Sequence, residues 1–358
     1  MKKITSMILA LVFAVSVIGS ASAKTLKIQL TFPKTSYDGQ IVKMWTDRVT
    51  KLTRGELKFE LLSKGEVVGM KETLEAVDKG LVDGGAAWTH YWSNYHPAAM
   101  LFGSPVAGGG IGLSTKSWLA WYFDNGGKEL YDQLWSEMGM NVKGFVMASS
   151  GPEALGWFKE PIKNMDDFRK YRFRTPPGIP GQTYKDIGIA SVSLSGGDIL
   201  PALEKGTIDA AEWCCPKPDS VFGFQKVLKN YYLQGLHQNV VNGDIYINGD
   251  VYNSLTDHQK YAMEVASEAM ITRNITNRAV ENGKALIDLT ENHGVKLWDT
   301  PADYFTEYMN AAQATLKKNA ASNAFFKEVY EHMTAPVSYT HLRAHETVLD
   351  LVCRLLLE

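Results

Sequence analysis

The strongest constraint on this chain is a self-similarity. The segment LEAVDKGLVD at 74–83 aligns with LPALEKGTID at 200–209, an offset of 126 residues from Leu74 to Leu200, with apolar, acidic and glycine positions matched. Each copy has the pattern of an amphipathic helix, a glycine that stops it and a short strand. Two amphipathic helices can match by chance; a true repeat means two like α/β lobes. In open α/β sheets ligands sit at the carboxyl ends of strands, and pockets favour the junction between domains. Binding residues are therefore expected just after each aspartate, over 84–92 and 210–215.

The flanking pattern agrees with an α/β chain. Leu26, Ile28 and Leu30 alternate as in a half-buried strand, Ile41, Trp45, Val49 and Leu52 recur at helical spacing, and Leu57, Phe59 and Leu61 give a second strand. A helix over 71–79 ends at Gly80. Thr256 to Gln259 has capping-box spacing, and the helical pattern continues without proline to Gly294. That helix would be about 54 Å long, more than one small lobe, so it should run along both. A last helical region opens at Pro301, with a break expected over 320–323. The expected fold is α/β and two-lobed, with a ligand cleft between the lobes and the long helix running along both. Lobe I takes 24–147 plus about 240–275, and lobe II takes 148–239 plus about 276–335.

Neither end reads as part of this fold. Lys2 and Lys3 precede an apolar run over 8–18, and Ala21, Ser22 and Ala23 supply a signal-peptidase site, so 1–23 reads as an export signal cleaved after Ala23. The run is too short to anchor the chain across a bilayer. Residues 337–358 resemble the translation of a transposase-type sequencing adapter, so 336–358 is read as an artefactual tail. The mature protein is expected to be soluble and outside the cytoplasm. A net charge of -2 offers no basic surface for nucleic acid. Of three cysteines, Cys353 falls in the tail; Cys214 and Cys215 read as small buried residues beside Trp213, with a vicinal disulfide or redox role as the alternative.

Motifs for catalysis fail on inspection. The run GGGIGLSTK at 108–116 has Thr115 before its lysine and suits neither a phosphate loop nor a dinucleotide loop, so a plain loop is expected. A nucleophile elbow and a zinc-protease helix are both missing from the sequence. What remains is a set of polar residues at strand ends. Arg172 and Arg174 share one face of a short strand, with Tyr171 and Phe173 on the other, and Pro176 and Pro177 end it. A guanidinium there can clamp a carboxylate through two parallel hydrogen bonds, or it can be a surface charge. Glu212 and Trp213 end the repeat strand, and Glu153 sits in SSGPEALGW at 149–157.

At these residues the chain resembles a known family. RTPPG at 174–178, GGDILPALEKGTIDAAEW at 196–213 and YYLQG at 231–235 are similar to the solute-binding proteins of tripartite ATP-independent periplasmic (TRAP) transporters. The resemblance is strongest to the branch that binds 2-oxo and 2-hydroxy monocarboxylates with a metal ion, and it covers nearly all of 24–335. It implies a receptor without catalysis that closes on a small organic acid and delivers it to the small and large membrane permease subunits. It further implies Arg174 as carboxylate clamp, with Glu212 (side chain) and Trp213 (backbone carbonyl) as metal ligands. Glu153 falls where several relatives place a glutamine ligand. Glu153 beside Glu212 would raise one carboxylate's pKa unless a cation lies between them. Calcium is therefore expected over sodium. Of Trp88, Tyr91 and Trp92, which follow the first repeat strand, Tyr91 is the expected pocket residue. Rival readings are a different organic acid (dicarboxylate, sugar acid or aromatic acid), a periplasmic enzyme using Glu153 and Glu212 as acid and base, and a sensory receptor. A homodimer is open for the full-length chain.

Overall fold

The computed structural model describes residues 23–194 and 196–335. Residues 1–22 of the expected export signal and the adapter-like tail lie outside the described residues. The strands are β1 (Lys24–Leu30), β2 (Leu57–Leu62), β3 (Gly84–Trp88), β4 (Val142–Ser150), β5 (Gly156–Phe158), β6 (Arg172–Arg174), β7 (Ala190–Val192), β8 (Ala210–Ala211), β9 (Asn230–Tyr232), β10 (Val241–Asn248) and β11 (Lys296–Trp298). They form two sheets, ordered β2-β1-β3-β10-β4 and β11-β9-β5-β8-β6-β7. In the first, β2, β1 and β3 run parallel, and β10 is antiparallel to both β3 and β4. The second repeats this plan with β7, β6 and β8 parallel and β5 antiparallel to both β8 and β9. The chain crosses from β4 to β5 and returns from β9 to β10. These crossings touch where the Glu153 N–H donates to the Gln238 carbonyl at 3.0 Å.

The repeat is legible down to single hydrogen bonds. Gly80 and Gly206 both end their helices in the left-handed region, with φ of 69° and 67°, where a side chain is disfavoured. Leu81 N–H donates to the Ala76 carbonyl at 2.8 Å, and its counterpart Thr207 N–H donates to Ala202 at 2.9 Å. Asp83 accepts from the Lys27 N–H at 2.7 Å, and Asp209 from the Arg172 N–H at 3.4 Å, so each repeat aspartate pins the neighbouring strand. Register then makes Gln29, opposite Gly85, equivalent to Arg174, opposite Ala211. Both are buried. Gln29 Nε2 donates to the Ser63 carbonyl after β2, and Arg174 to the Leu194 carbonyl after β7. One lobe thus carries a neutral amide where the other carries a cation.

The long helix, Asp257–His293, has the expected capping box at Thr256 and Gln259 and a left-handed cap at Gly294. Its first half buries Ala262, Met263, Ala266 and Met270 with Leu26, Ile28 and Trp45 of the first lobe. Trp45 Nε1–H donates to Ser267 Oγ at 2.8 Å. Further along, Leu289 joins Trp157, Ile208 and Tyr231 under the second sheet. At roughly 1.5 Å per residue its length reaches both cores, which is why one helix can serve two lobes.

The last helix, Ala324–Thr334, packs against residues of the first lobe: the rings of Phe325 and His96 lie 5.4 Å apart, and Trp121 Nε1–H donates to His332 Nδ1 at 3.0 Å. Asn323 is extended (φ -142°, ψ 121°), which breaks the preceding helix, Ala302–Ser322, and redirects the chain. The glycine-rich run, expected as a plain loop, is an irregular segment that is buried against the helices around it. Gly108–Gly112 is a turn with its first three glycines buried, and Gln313 Nε2–H donates to the Gly110 carbonyl at 2.7 Å.

One core carboxyl makes stability pH-dependent. Asp244 is fully buried, accepts from Thr89 Oγ1 and Tyr131 OH at 2.8 Å each, and is raised by burial to about 7 from 3.8. The folded state therefore holds a proton that the unfolded chain has released, so this group's contribution to stability falls as pH rises from about 4 to about 7 and is flat above. Asp244→Asn is expected to remove roughly 2–3 kcal/mol of the stability lost between about pH 5 and 8, checked by urea midpoints of parent and variant at both values.

Candidate ligand cleft and metal centre

The cleft opens between the two sheets. The first lobe contributes Asp38, Trp88 and Tyr91, the second contributes Glu153, Arg174 and Trp213, and the long helix contributes Arg278. Trp88 ends β3 and Trp213 follows β8, so the repeat brings both lobes to the cleft by the carboxyl ends of their strands. The cavity volume is about 60 Å³. One water requires about 10–15 Å³, so the space suits roughly four to six non-hydrogen atoms.

Arg174 is buried, and its guanidinium is held from several sides. Nε and Nη2 donate to the Leu194 carbonyl at 3.1 and 3.0 Å, and Nη1 donates to the Glu212 carbonyl at 2.9 Å and to Glu212 Oε1 at 2.5 Å. Its face lies over the Trp213 ring at 5.0 Å. In this arrangement the fork expected to clamp a ligand carboxylate is occupied by Glu212 through Nη1 and by the Leu194 carbonyl through Nε and Nη2. Arg172 lies on the same face of the strand but at its exposed first position, where it pairs with Asp209 at 2.8 Å.

Behind this pair is a group that can hold a cation. Oxygens of Glu153 and Glu212 and a ring nitrogen of His237 lie within 4.8 Å of one another, and all three residues are buried. Glu153 Oε2, Glu212 Oε2 and His237 Nε2 have no hydrogen-bond partner among the described residues. Burial, reinforced by the charge of Glu212, pushes the Glu153 carboxyl well above the usual range. Buried orphan acceptors of this kind are costly unless they meet a positive charge. Two hard carboxylates and an imidazole therefore fit a metal ion. His237 Nδ1 lies 3.2 Å from Tyr184 OH, a contact that orients the ring.

Sequence reasoning singled out Tyr91, Glu153, Arg174 and Trp213, which line one cleft, and Glu212, which sits beneath it at 0% exposure. Trp92 is instead core, its ring 5.9 Å from Tyr246. His237, Asp38 and Arg278 were missed. His237 follows β9 and shares no ligand spacing with either glutamate. Arg278 sits in mid-helix, where an arginine reads as solvated. It is buried, with Nη2 donating to Asp38 Oδ1 at 3.2 Å.

A pair of α/β lobes joined by crossing strands, with a polar cleft between them, is the architecture of a two-lobed solute-binding protein. The chain belongs to the DctP family, the bacterial extracellular solute-binding proteins of family 7, whose model matches residues 30–323. It is a TRAP-type periplasmic receptor, not an enzyme. A monocarboxylate 2-oxoacid-binding periplasmic protein of Nostoc sp. is 32% identical over 80% of this chain and 77% of its own. A TRAP solute-binding protein of Bordetella bronchiseptica, solved as a dimer with calcium and picolinate, superposes with a TM-score of 0.83 at 25% identity, covering 94% of this chain and 98% of that one. One from Colwellia psychrerythraea, holding calcium and pyruvate, gives 0.83 at 23% identity over 94% and 99%. Another from Pseudoalteromonas atlantica, holding sodium and pyruvate, gives 0.82 at 21% over 93% and 98%.

Proposed function

We propose that this receptor, exported with its signal cleaved after Ala23, captures a small 2-oxo or 2-hydroxy monocarboxylate together with a calcium-like ion and passes it to the TRAP permease subunits. The observation that carries the reading is the trio of partnerless buried atoms on Glu153, Glu212 and His237 beside the Arg174 guanidinium. The similarity to a 2-oxoacid-binding protein supports it. Picolinate, held by the Bordetella protein, shares with 2-oxo acids a carboxylate next to a second donor atom, so either can present two ligand atoms to one ion. The bound ion would supply positive charge next to the ligand's carboxylate.

Glu153, Glu212 and His237 would hold that ion, and Trp213 would wall the cleft and offer its carbonyl. Glu212 is the shared residue: it engages Arg174 through Oε1 while Oε2 faces His237 at 3.5 Å. When Glu212 turns its charge to an ion, Arg174 Nη1 is released for the ligand carboxylate, so anion and cation binding are coupled through one side chain. One guanidinium, one ligand carboxylate and two glutamates leave two negative charges, which a divalent ion neutralises and sodium does not. Tyr91 closes the cleft from the other lobe.

Calorimetric titration with pyruvate, a 2-hydroxy acid, picolinate, succinate and a sugar acid, each with calcium, with sodium and after chelation, tests the reading. Tightest binding of a 2-oxo or 2-hydroxy monocarboxylate with calcium is expected. Preference for a dicarboxylate or sugar acid, or indifference to chelation, overturns it. His237→Phe fills the same space without a ligand atom and is expected to weaken calcium binding at least about tenfold in the same titration.

A further inference from the structure

The reading above leaves Cys214 and Cys215 unused. Both are buried, their sulfurs lie 2.7 Å apart, and Cys214 lines the cleft. Arg278 Nη1 lies 3.3 Å from one sulfur and 3.4 Å from the other, while Nη2 of the same guanidinium reaches Asp38 of the first lobe. The two thiols therefore touch the residue that ties the long helix to the opposite wall of the cleft.

We propose that Cys214 and Cys215 are a reversible redox-modification site, at which a disulfide-bearing oxidant converts the dithiol to a vicinal disulfide and lowers affinity for the ligand. The affinity part rests on the proposed function; the chemistry of the pair does not. The sulfur of Cys214, the cysteine that lines the cleft, attacks R–S–S–R, forming a mixed disulfide and expelling one RS⁻. The sulfur of Cys215 then attacks the Cys214 side of the mixed disulfide, closing the Cys214–Cys215 bond and expelling the second RS⁻. The two thiol protons leave with the two expelled thiolates, and the two electrons end on the oxidant as a pair of thiols.

Adjacency makes this bond a switch and not a staple. Neighbouring Cα atoms are about 3.8 Å apart, short of the roughly 4.4–6.8 Å that an unstrained disulfide spans, and strained disulfides are the more easily reduced. The periplasm is an oxidising compartment in which such a pair meets disulfide oxidants. Ring closure also has a route to the ligand site. The Cys214 N–H is held by Asp219 Oδ1 at 3.0 Å, and its carbonyl accepts from the Ala154 N–H at 2.8 Å, next to Glu153. Rotation of the peptide between the cysteines must disturb one of these bonds, and movement of the sulfurs takes them from Arg278.

The test uses the full chain with Cys353→Ser, which leaves the pair as its only cysteines. The reduced chain is treated with 4,4′-dithiodipyridine, with and without pyruvate and calcium. The expected result is release of two thiopyridones per chain, a product lighter by two hydrogens and free of adduct, and full reversal by dithiothreitol. Cys215→Ser should stop at a single mixed disulfide. Prior binding of pyruvate and calcium should slow the release, and the oxidised chain should bind them at least about tenfold more weakly, a difference well within calorimetric reach. A parent chain that retains one or two thiopyridyl adducts, or releases none, overturns the site. Complete oxidation with unchanged affinity overturns its coupling to binding. If the reduced chain fails to bind pyruvate at all, the functional reading falls while the mass of the oxidised product still decides the site.

Discussion

Arg174→Ala is expected to abolish measurable binding of the organic acid and to lower the melting temperature at the same time. Arg174 is 4% exposed and Glu212 0%, and the pair is joined at 2.5 Å. Removing one member of such a pair leaves the other charge buried, at about 3–5 kcal/mol of stability. Binding should lose a further 2–5 kcal/mol or so with the charge-assisted contacts to the ligand carboxylate. The two losses can be separated. Arg174→Ala combined with Glu212→Gln removes both charges, so it should recover most of the melting temperature without recovering binding. Arg174→Lys keeps the charge but not the fork that spans Leu194 and Glu212, and it should bind weakly. Near-parent affinity in Arg174→Ala, measured by calorimetry, would remove the clamp from the mechanism.

Glu153→Gln is expected to change which ion the receptor prefers. It removes one negative charge, so the closed site with a monocarboxylate sums to a single negative charge that sodium can neutralise. Calcium affinity should fall by about 100-fold, in line with its steep dependence on ligand charge. The pH dependence follows from the same residue. Burial and the charge of Glu212 raise the Glu153 carboxyl above 4.5, so the metal-free fold keeps a proton that the unfolded chain has lost. Its contribution to stability is therefore greatest below about 4.5 and declines as pH rises towards the raised value. Calcium must displace that proton, so its affinity in the parent should fall as the solution is acidified through the same window. In Glu153→Gln this slope should become shallower, the remaining dependence coming from the other two ligands. Calcium titrations at two pH values, with parent and variant side by side, check both statements; an unchanged ion preference or an unchanged slope would count against Glu153 as a ligand.

Much of the architecture was readable from local pattern. The lysine-glycine stop repeated at Gly80 and Gly206 marks a helix end that only a left-handed residue completes, and the same hydrogen bonds recur in both copies. The capping box at Thr256 and the cap at Gly294 bound the long helix for equally local reasons. The packing of the last helix was not readable, because Asn323 redirects the chain through a backbone angle that no periodicity encodes. The cleft was partly readable. Arg174, Glu153 and Glu212 stood out through a family likeness, whereas His237 and Arg278 carried no spacing signal.

The sequence by itself determined the two lobes, the helix that joins them and the strand ends at which a ligand would sit, since these depend on residues within a turn or two of each other. Only the tertiary structure decided which charges meet. Glu212 is offered to both Arg174 and His237, and Arg278 to Asp38 and the paired cysteines, because crossing strands and a shared helix carry them together from distant parts of the chain. Buried charge is tolerated only where such partners converge, and convergence is a property of the fold that local pattern does not contain.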